Sequence, residues 1–331
     1  MRFATYNVEW FSNLFNKDGS LHFDEDWSGR HNVTRRAQTE ALGIVFNAID
    51  ADAVMIIEAP DSHSKRDGTK ALETFAAEVG LRARKAVMGF VNDTQQEIAF
   101  LYDPDALTAV HDPQGQPRFD ETYEIDLDVD TAPDKVRWSK PPLELAVQTK
   151  GGTKLRLIGV HAKSKAPYGA RNPEQVMRIA IENRRKQLAQ CIWLRERVET
   201  ILSDDEHLVV LGDFNDGPGL DEYERLFGRS GVEIVIGDDD DVRLYDPHAE
   251  TVIRRPLGWM PTSARFWMVE KRRWIQTLLD YVMVSPDLRP MARDWRIWHP
   301  FDDPACERSP ELREALLTAS DHFPVSVELD I

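Results

Sequence analysis

The sequence predicts an α/β fold, on three observations. Apolar runs such as Ala53-Val54-Met55-Ile56-Ile57 and Leu208-Val209-Val210-Leu211 are continuous rather than alternating, as expected of strands covered on both faces. Segments with helical apolar periodicity lie between such runs and supply the cover. The runs also stop abruptly at polar residues and chain-breakers, most clearly at Gly212-Asp213-Phe214-Asn215-Asp216-Gly217-Pro218. In open α/β sheets, ligands bind outside strand ends of this kind.

Arg2 to Val8 is the first strand, with Asn7 and Glu9 at its end. Thr34 to Ile49 places Ala37, Ala41, Leu42, Val45, Phe46 and Ile49 on one helical face. The buried strand that follows delivers Glu58 just before Pro60, Lys70 to Val79 predicts a short helix, and Gln96 to Tyr102 predicts a strand. Asp112 to Pro142 is rich in Pro, Asp and Gly and reads as irregular surface with an inserted hairpin beginning at Tyr123 to Val129. Leu143 to Thr149 and Lys154 to Val160 flank Lys150-Gly151-Gly152-Thr153 as a hairpin whose second strand delivers His161, ahead of Lys163 and Lys165. Asn172-Pro173-Glu174 combines an N-cap, a proline at the first helical position and an acid at the positive end of the helix dipole. The helix runs to about Leu202, with Arg178, Arg185 and Lys186 on its solvated side. Asp238 to Asp241 reads as an exposed loop tip without calcium-loop spacing. Thr277 to Ser285 reads as one strand with Asp280 near its start, and Ser320-Asp321-His322-Phe323-Pro324 leads into a last strand, Val325 to Leu329. With no repeat or low-complexity linker, one domain over residues 1–331 is expected.

Composition bounds the function. A net charge of -16 argues against a protein that coats nucleic acid by bulk attraction, but not against an enzyme whose local cations and metal offset the field at one phosphate. Cys191 and Cys306 are too few for a disulfide framework and lack metal-site spacing, so they read as reduced structural thiols. Met1-Arg2 leads straight into a strand with no signal-peptide pattern, and no apolar run is long enough to span a bilayer. A cytoplasmic monomer with no membrane partner is expected.

Six strand ends thus present Asn7, Glu58, His161, Asp213 with Asn215, Asp280, and Asp321 with His322. Singly, each is explained by a turn, a cap or a satisfied histidine; together they are what an active site assembled on a sheet requires. Asn7 and Glu58 offer hard oxygen ligands to one Mg²⁺ or Mn²⁺. Zinc is disfavoured, since thiolate ligands and zinc-type histidine spacing are both missing. Asp213 suits alignment and deprotonation of a water, and Asn215 suits a hydrogen bond to the phosphate or the nucleophile. His322 suits contact with the scissile phosphate, oriented and kept charged by Asp280. Lys163, Lys165 and Arg178 are the candidate substrate-binding cations.

These residues stand in Thr5-Tyr6-Asn7-Val8-Glu9-Trp10, Ile57-Glu58, Gly159-Val160-His161-Ala162-Lys163-Ser164, Gly212-Asp213-Phe214-Asn215-Asp216, Leu279-Asp280-Tyr281-Val282 and Ser320-Asp321-His322-Phe323-Pro324. In order and approximate spacing they resemble the endonuclease/exonuclease/phosphatase superfamily, the deoxyribonuclease-I-like fold. The resemblance implies a four-layer α/β sandwich in which two packed mixed β-sheets are flanked by helices. It also implies metal-dependent attack on a phosphoester, with Asn7 and Glu58 at the metal and Asp213, Asn215, Asp280, Asp321 and His322 around the phosphate. His161 matches a second, phosphate-contacting histidine of the deoxyribonuclease, sphingomyelinase and inositol-phosphatase branches. The glutamate that supports that histidine falls near Gln96-Glu97, and either residue fits the register. Glu9 in place of an aspartate, and the His161 strand in place of a tyrosine-proline loop, depart from apurinic endonucleases and disfavour abasic-site repair.

A nuclease acting on DNA or RNA is the expected function. A phosphoesterase of the same fold for a lipid, nucleotide or sugar phosphate is the alternative. A non-catalytic module is disfavoured because every expected position is filled. The segment Arg254 to Gln276, with Trp259, Phe266, Trp267 and Trp274 among Arg265, Lys271, Arg272 and Arg273, reads in two ways: as a surface that stacks bases and holds phosphates, or as aromatic packing beneath a basic rim.

Overall fold

The computed structural model describes residues 1–92, 94, 96–126, 133–217, 228–239, 241–254, 260–268 and 272–331; Val129, Pro218, Asp240, Trp259 and Lys271 lie outside them. Its strands are β1 (Arg2–Asn7), β2 (Ala53–Ala59), β3 (Lys85–Met88), β4 (Glu97–Tyr102), β5 (Leu107–His111), β6 (Tyr123–Ile125), β7 (Asp134–Val136) and β8 (Leu143–Thr149). They continue with β9 (Lys154–His161), β10 (Leu208–Asp213), β11 (Ala264–Met268), β12 (Arg273–Thr277), β13 (Asp280–Val284), β14 (Ala292–Ile297) and β15 (Val325–Leu329). The helices used below are α1 (Arg35–Ile49), α2 (Gly68–Glu78), α3 (Pro173–Ser203), α4 (Gly231–Ile236), α5 (Pro247–Arg254), α6 (Pro304–Arg308) and α7 (Pro310–Ala319).

One sheet has six strands in the order β14-β15-β1-β2-β4-β3 and the other five in the order β13-β10-β9-β8-β5. Each contains one parallel pair, β1 with β2 and β9 with β10, in otherwise antiparallel surroundings. Side chains alternate across each strand, which explains the continuous apolar runs. In β10, Val209 and Leu211 enter the core between the sheets, where they join Phe3, Met55, Phe100 and Leu157. Leu208 and Val210 face the other way and pack with Trp193 and Val198 of α3 and Val235 of α4. In β1, Tyr6 turns out to Leu42 and Phe46 of α1, Phe75 of α2 and Leu316 of α7. The result is the expected four-layer sandwich, helices on sheet on sheet on helices, and truncating one of these buried side chains to Ala costs ~2–5 kcal/mol. The sheets meet so closely that a Cβ at Gly159 would lie 2.4 Å from Met55 Sδ.

Thr34 caps α1 through Ala37 N, and Asn172 caps α3 through Gln175 N with Pro173 in the first turn, as the sequence pattern requires. The hairpin at Lys150–Thr153 and the small β6-β7 hairpin also form. One expectation is corrected. Thr277 to Ser285 is not a single strand, because Thr277 closes β12 and Asp280 opens β13. The Ser263 hydroxyl takes the Leu279 and Asp280 amides at 3.0 and 2.9 Å, which removes those donors from a ladder. Among the described residues, no helix is long and apolar enough to cross a membrane.

Candidate active site

The parallel pairs β1-β2 and β9-β10 bring their C-terminal ends together at one edge of the sandwich. Within the second sheet the register places Asp213 opposite His161 on one side and Asp280 on the other. Gly212 makes that approach possible. Its φ is 141°, and a Cβ there would lie 2.0 Å from Val160 O. In the first sheet Asn7 pairs with Ile57, and the β2-β4 register shifts between Ile57 and Ala59. Glu58 is the extra residue of this bulge and adopts φ 62°, a conformation that costs a non-glycine residue about 1–3 kcal/mol. The bulge turns its carboxylate toward His161, whose Nε2 is 4.0 Å from Glu58 Oε1.

Asp213 is the centre of the cluster. Asn7 Nδ2 donates to its Oδ2 at 3.0 Å, and Asn215 N and Nδ2 donate to it at 2.7 and 3.1 Å. His161 Nε2 and His322 Nε2 stand 3.7 and 4.0 Å from the same Oδ2. Burial pushes the Asp213 carboxyl up to about 7, the His322 charge opposing and the Asp280 charge adding to that shift. His322 Nδ1 lies 2.8 Å from Asp280 Oδ2, which also accepts the Ser263 hydroxyl at 2.7 Å. Burial alone would depress the His322 pKa, but the Asp280 and Asp213 carboxylates outweigh it and hold the ring well above the ordinary histidine value. Asp321 is half-buried, and its charge helps raise the pKa values of Glu9 and Glu58. The structure therefore gathers Asn7, Glu58, His161, Asp213, Asn215, Asp280, Asp321 and His322 at one place.

The donor set fits a hard divalent cation on the Asn7-Glu58 side. Asn7 Oδ1 is buried and finds no hydrogen-bond partner among the described residues, and burial raises the Glu58 pKa, which a bound cation would reverse. Asp213, Asp280 and His322 also lie within 4.8 Å of one another. Within this group His322 Nδ1 is engaged by Asp280 Oδ2, and the two carboxylates raise the His322 pKa, an arrangement suited to sharing a proton.

The three candidate substrate cations fare differently. Lys163 is half-buried beside the cluster, its amide bonded to Gln190 Oε1 at 2.9 Å. Lys165 is paired with the buried Asp216, so its charge is already engaged. Arg178 is exposed on α3 and makes no contact with the cluster among the described residues.

A model of the Endonuclease/Exonuclease/phosphatase family matches residues 4–322. The chain belongs to this family. Endonucleases, exonucleases and phosphatases all hydrolyse phosphoesters, so phosphoester hydrolysis is the activity class. Similar solved structures include a 3'-5' exonuclease from Neisseria meningitidis (15% identity, TM-score 0.53) and an AP endonuclease from Archaeoglobus fulgidus (12%, 0.52). A 3' phosphatase from Neisseria bound to a product DNA hairpin is also similar (15%, 0.51), and in all three cases 100% of each chain is covered. At these identities the likeness shows the fold. No curated protein matches the chain.

Within the family pattern, the partner of His161 is neither Gln96 nor Glu97. Glu97 is buried and bonded to Asn92 Nδ2 at 2.6 Å. The contact comes instead from Lys140, whose Nζ lies 3.0 Å from His161 Nε2. Burial drives the His161 pKa well below its usual value, the Lys140 and His322 charges adding to it, and burial lowers the Lys140 pKa as well. Lys140 was missed because it stands alone in a proline-rich stretch. Ser263, Ser320 and Gln187 were missed as well. Ser320 Oγ donates to Asn7 O at 2.8 Å and accepts the His322 amide at 3.2 Å, which ties β1 to the histidine. Gln187 is fully buried on α3 and its Nε2 donates to Lys163 O, Phe214 O and Asn215 O at 2.9, 3.2 and 3.0 Å. It thereby fastens together the loops that follow β9 and β10.

Proposed function

We propose that this protein is a metal-dependent phosphodiesterase that cuts DNA or RNA by attack of an activated water. One observation carries the chemistry: a buried carboxylate, Asp213, stands within 4.0 Å of two histidines and is bonded to an asparagine whose oxygen has no partner among the described residues. Asn7 Oδ1 and Glu58 would hold Mg²⁺ or Mn²⁺. When bound, the ion neutralises charge on the phosphate and on the departing oxygen. Asp213 takes a proton from the water as its oxygen bonds to phosphorus, and a carboxylate tuned to about 7 suits that transfer at neutral pH. The bond that breaks is the one from phosphorus to the leaving oxygen, which keeps the electron pair. His322 as its cation and the Lys140 ammonium donate to phosphate oxygens, where charge accumulates. Asn215 holds Asp213 in line, and the catalytic groups run from Asn7 to His322, which supports one domain acting as a unit.

The preference for nucleic acid rests on the β11-β12 hairpin. Its strand β11 adjoins the catalytic residues, with Ala264 bridged to His322 and the Arg265 amide donating to Asp321 O at 2.7 Å. Trp267 and Trp274 are 47% and 52% exposed and meet edge-on at 5.6 Å, so they are a surface pair and not packing beneath a rim. Arg272 and Arg273 are exposed beside them. Aromatic faces flanked by cations suit bases and phosphates. The net charge of -16 favours a second reading, a small phosphoester or lipid phosphate. Purified protein with Mg²⁺ or Mn²⁺, assayed at low salt on plasmid, single-stranded DNA, RNA and a small chromogenic diester, separates the two. Cleavage of nucleic acid that stops with chelator is expected. Hydrolysis of the small ester with intact DNA and RNA would overturn the nuclease reading.

A further inference from the structure

Arg265 is held in a way that its packing alone does not explain. Its guanidinium carbon lies 4.1 Å from the Trp274 ring centroid and 5.4 Å from that of Phe301, an aromatic clamp that limits where the group can point. The side chain forms no ion pair among the described residues, although the chain carries 57 acidic residues against 41 basic ones. Nε is buried and finds no acceptor there either, and burial lowers the arginine's pKa. A half-buried arginine that is oriented and has no carboxylate partner among the described residues is prepared for an anion from outside the chain.

Its place on the strand says which anion. Arg265 follows Ala264, which is bridged to His322, and its own amide donates to Asp321 O at 2.7 Å, so its backbone lies beside the catalytic residues. The Ser263 hydroxyl is bonded to catalytic Asp280 at 2.7 Å. From Ser263 to Arg265 the backbone spans at most roughly 7 Å, the order of the separation between one phosphate and the next along a nucleic-acid strand. Resting on the nuclease reading above, we propose that Arg265 binds the phosphate adjacent to the scissile one and so favours a chain of phosphodiesters over an isolated ester.

The test combines a change in the protein with a change in the substrate. A short single-stranded DNA is prepared with one neutral methylphosphonate linkage, placed in turn on either side of the scissile bond, and cut with Mn²⁺ by wild type, Arg265→Gln and Arg265→Lys. On the native strand Arg265→Gln should lose about tenfold in kcat/KM, chiefly through KM, as expected for one charge-assisted contact. At one of the two linkages, neutralisation should cost wild type about tenfold and the Gln variant less than about twofold, because each change removes the same contact. Arg265→Lys keeps the charge and should recover part of the loss. If melting or tryptophan emission shows that the Gln variant has lost the hairpin, the Lys variant is carried through the same cycle. Losses that multiply at both linkages overturn the role of Arg265 and leave the nuclease reading standing. Wild type that cuts no nucleic acid overturns both.

Discussion

In the six-stranded sheet, the parallel pair β1-β2 with antiparallel β15 beside β1 presents Asn7, Glu58 and, just before β15, His322. In the five-stranded sheet, the parallel pair β10-β9 with antiparallel β13 beside β10 presents Asp213, His161 and Asp280. The local topology is the same, and the chemistry differs. On the first side Asn7 Oδ1 has no partner among the described residues, and Glu58 sits on a bulge at positive φ. On the second, Asp213 and Asp280 are bonded to Asn7, Asn215, Ser263 and His322. Parallel pairing explains why polar groups collect at this edge. Residue type and local backbone then divide them into a pair suited to a cation, Asn7 and Glu58, and a group suited to moving a proton, in which His322 reaches from the first sheet to Asp280 of the second.

The comparison breaks most visibly at Asp213. Asp213→Asn keeps the shape and removes the base, so kcat should fall by about 10²–10⁴ with the melting temperature preserved; a loss under tenfold, read by steady-state kinetics, would take Asp213 out of the proton transfer. Asp280→Asn and His322→Ala should each be severe, and the double variant no worse than the poorer single, since the pair acts as one unit. The same pair has a pH signature. His322 is raised in the folded state, so its stabilising contribution is full below about 6.5 and is lost as pH climbs through the folded value. Nitrogen-detected imidazole spectra should show the ring still protonated above pH 6.5, and Asp280→Asn should bring its deprotonation to lower pH.

Gln187 sharpens the account from behind the site. Gln187→Leu leaves three loop carbonyls without their donor, and we expect about 1–3 kcal/mol of lost stability by denaturant titration with kcat down about tenfold. An unchanged kcat in a destabilised protein would restrict Gln187 to packing. The smallest effect belongs to the hairpin. Arg272→Ala with Arg273→Ala should raise KM for nucleic acid severalfold and flatten the slope of log KM against log salt by about 1–2, since each lost phosphate contact removes ~0.7–0.9. A full salt slope in the double variant would mean that those arginines do not meet the substrate.

What was legible in the sequence follows from this division. Buried runs ending in Asp, Glu, His or Asn are visible without a structure, because continuous apolar strands and the breakers after them are local signals. Glu58 was legible as a strand-end carboxylate, while its left-handed backbone was not, since no glycine or turn residue marks it. Lys140 reaches the cluster only through tertiary packing, and no local pattern points to it; Ser320 stands in the motif of His322, but its bond to Asn7 O across the chain is not readable there. Helix α3 hides its contribution in another way. Arg184 and Gln187 lie outside the apolar face that the sequence marks, yet Arg184 is 1% exposed and bonded to Asp216 at 2.7 Å, and Gln187 is fully buried between two loops. Thr277 to Ser285 carried the pattern of one strand, and a single hydroxyl, Ser263, decided where it breaks.

Metal affinity tests the division between the two sides most directly. Calorimetric titration of Mn²⁺ into wild type, Glu58→Gln and His322→Ala, each shown to be folded, should find Glu58→Gln weakened at least tenfold and His322→Ala close to wild type. The contrary result, Mn²⁺ binding lost in His322→Ala and kept in Glu58→Gln, would place the cation among Asp213, Asp280 and His322 and contradict the assignment of Asn7 and Glu58.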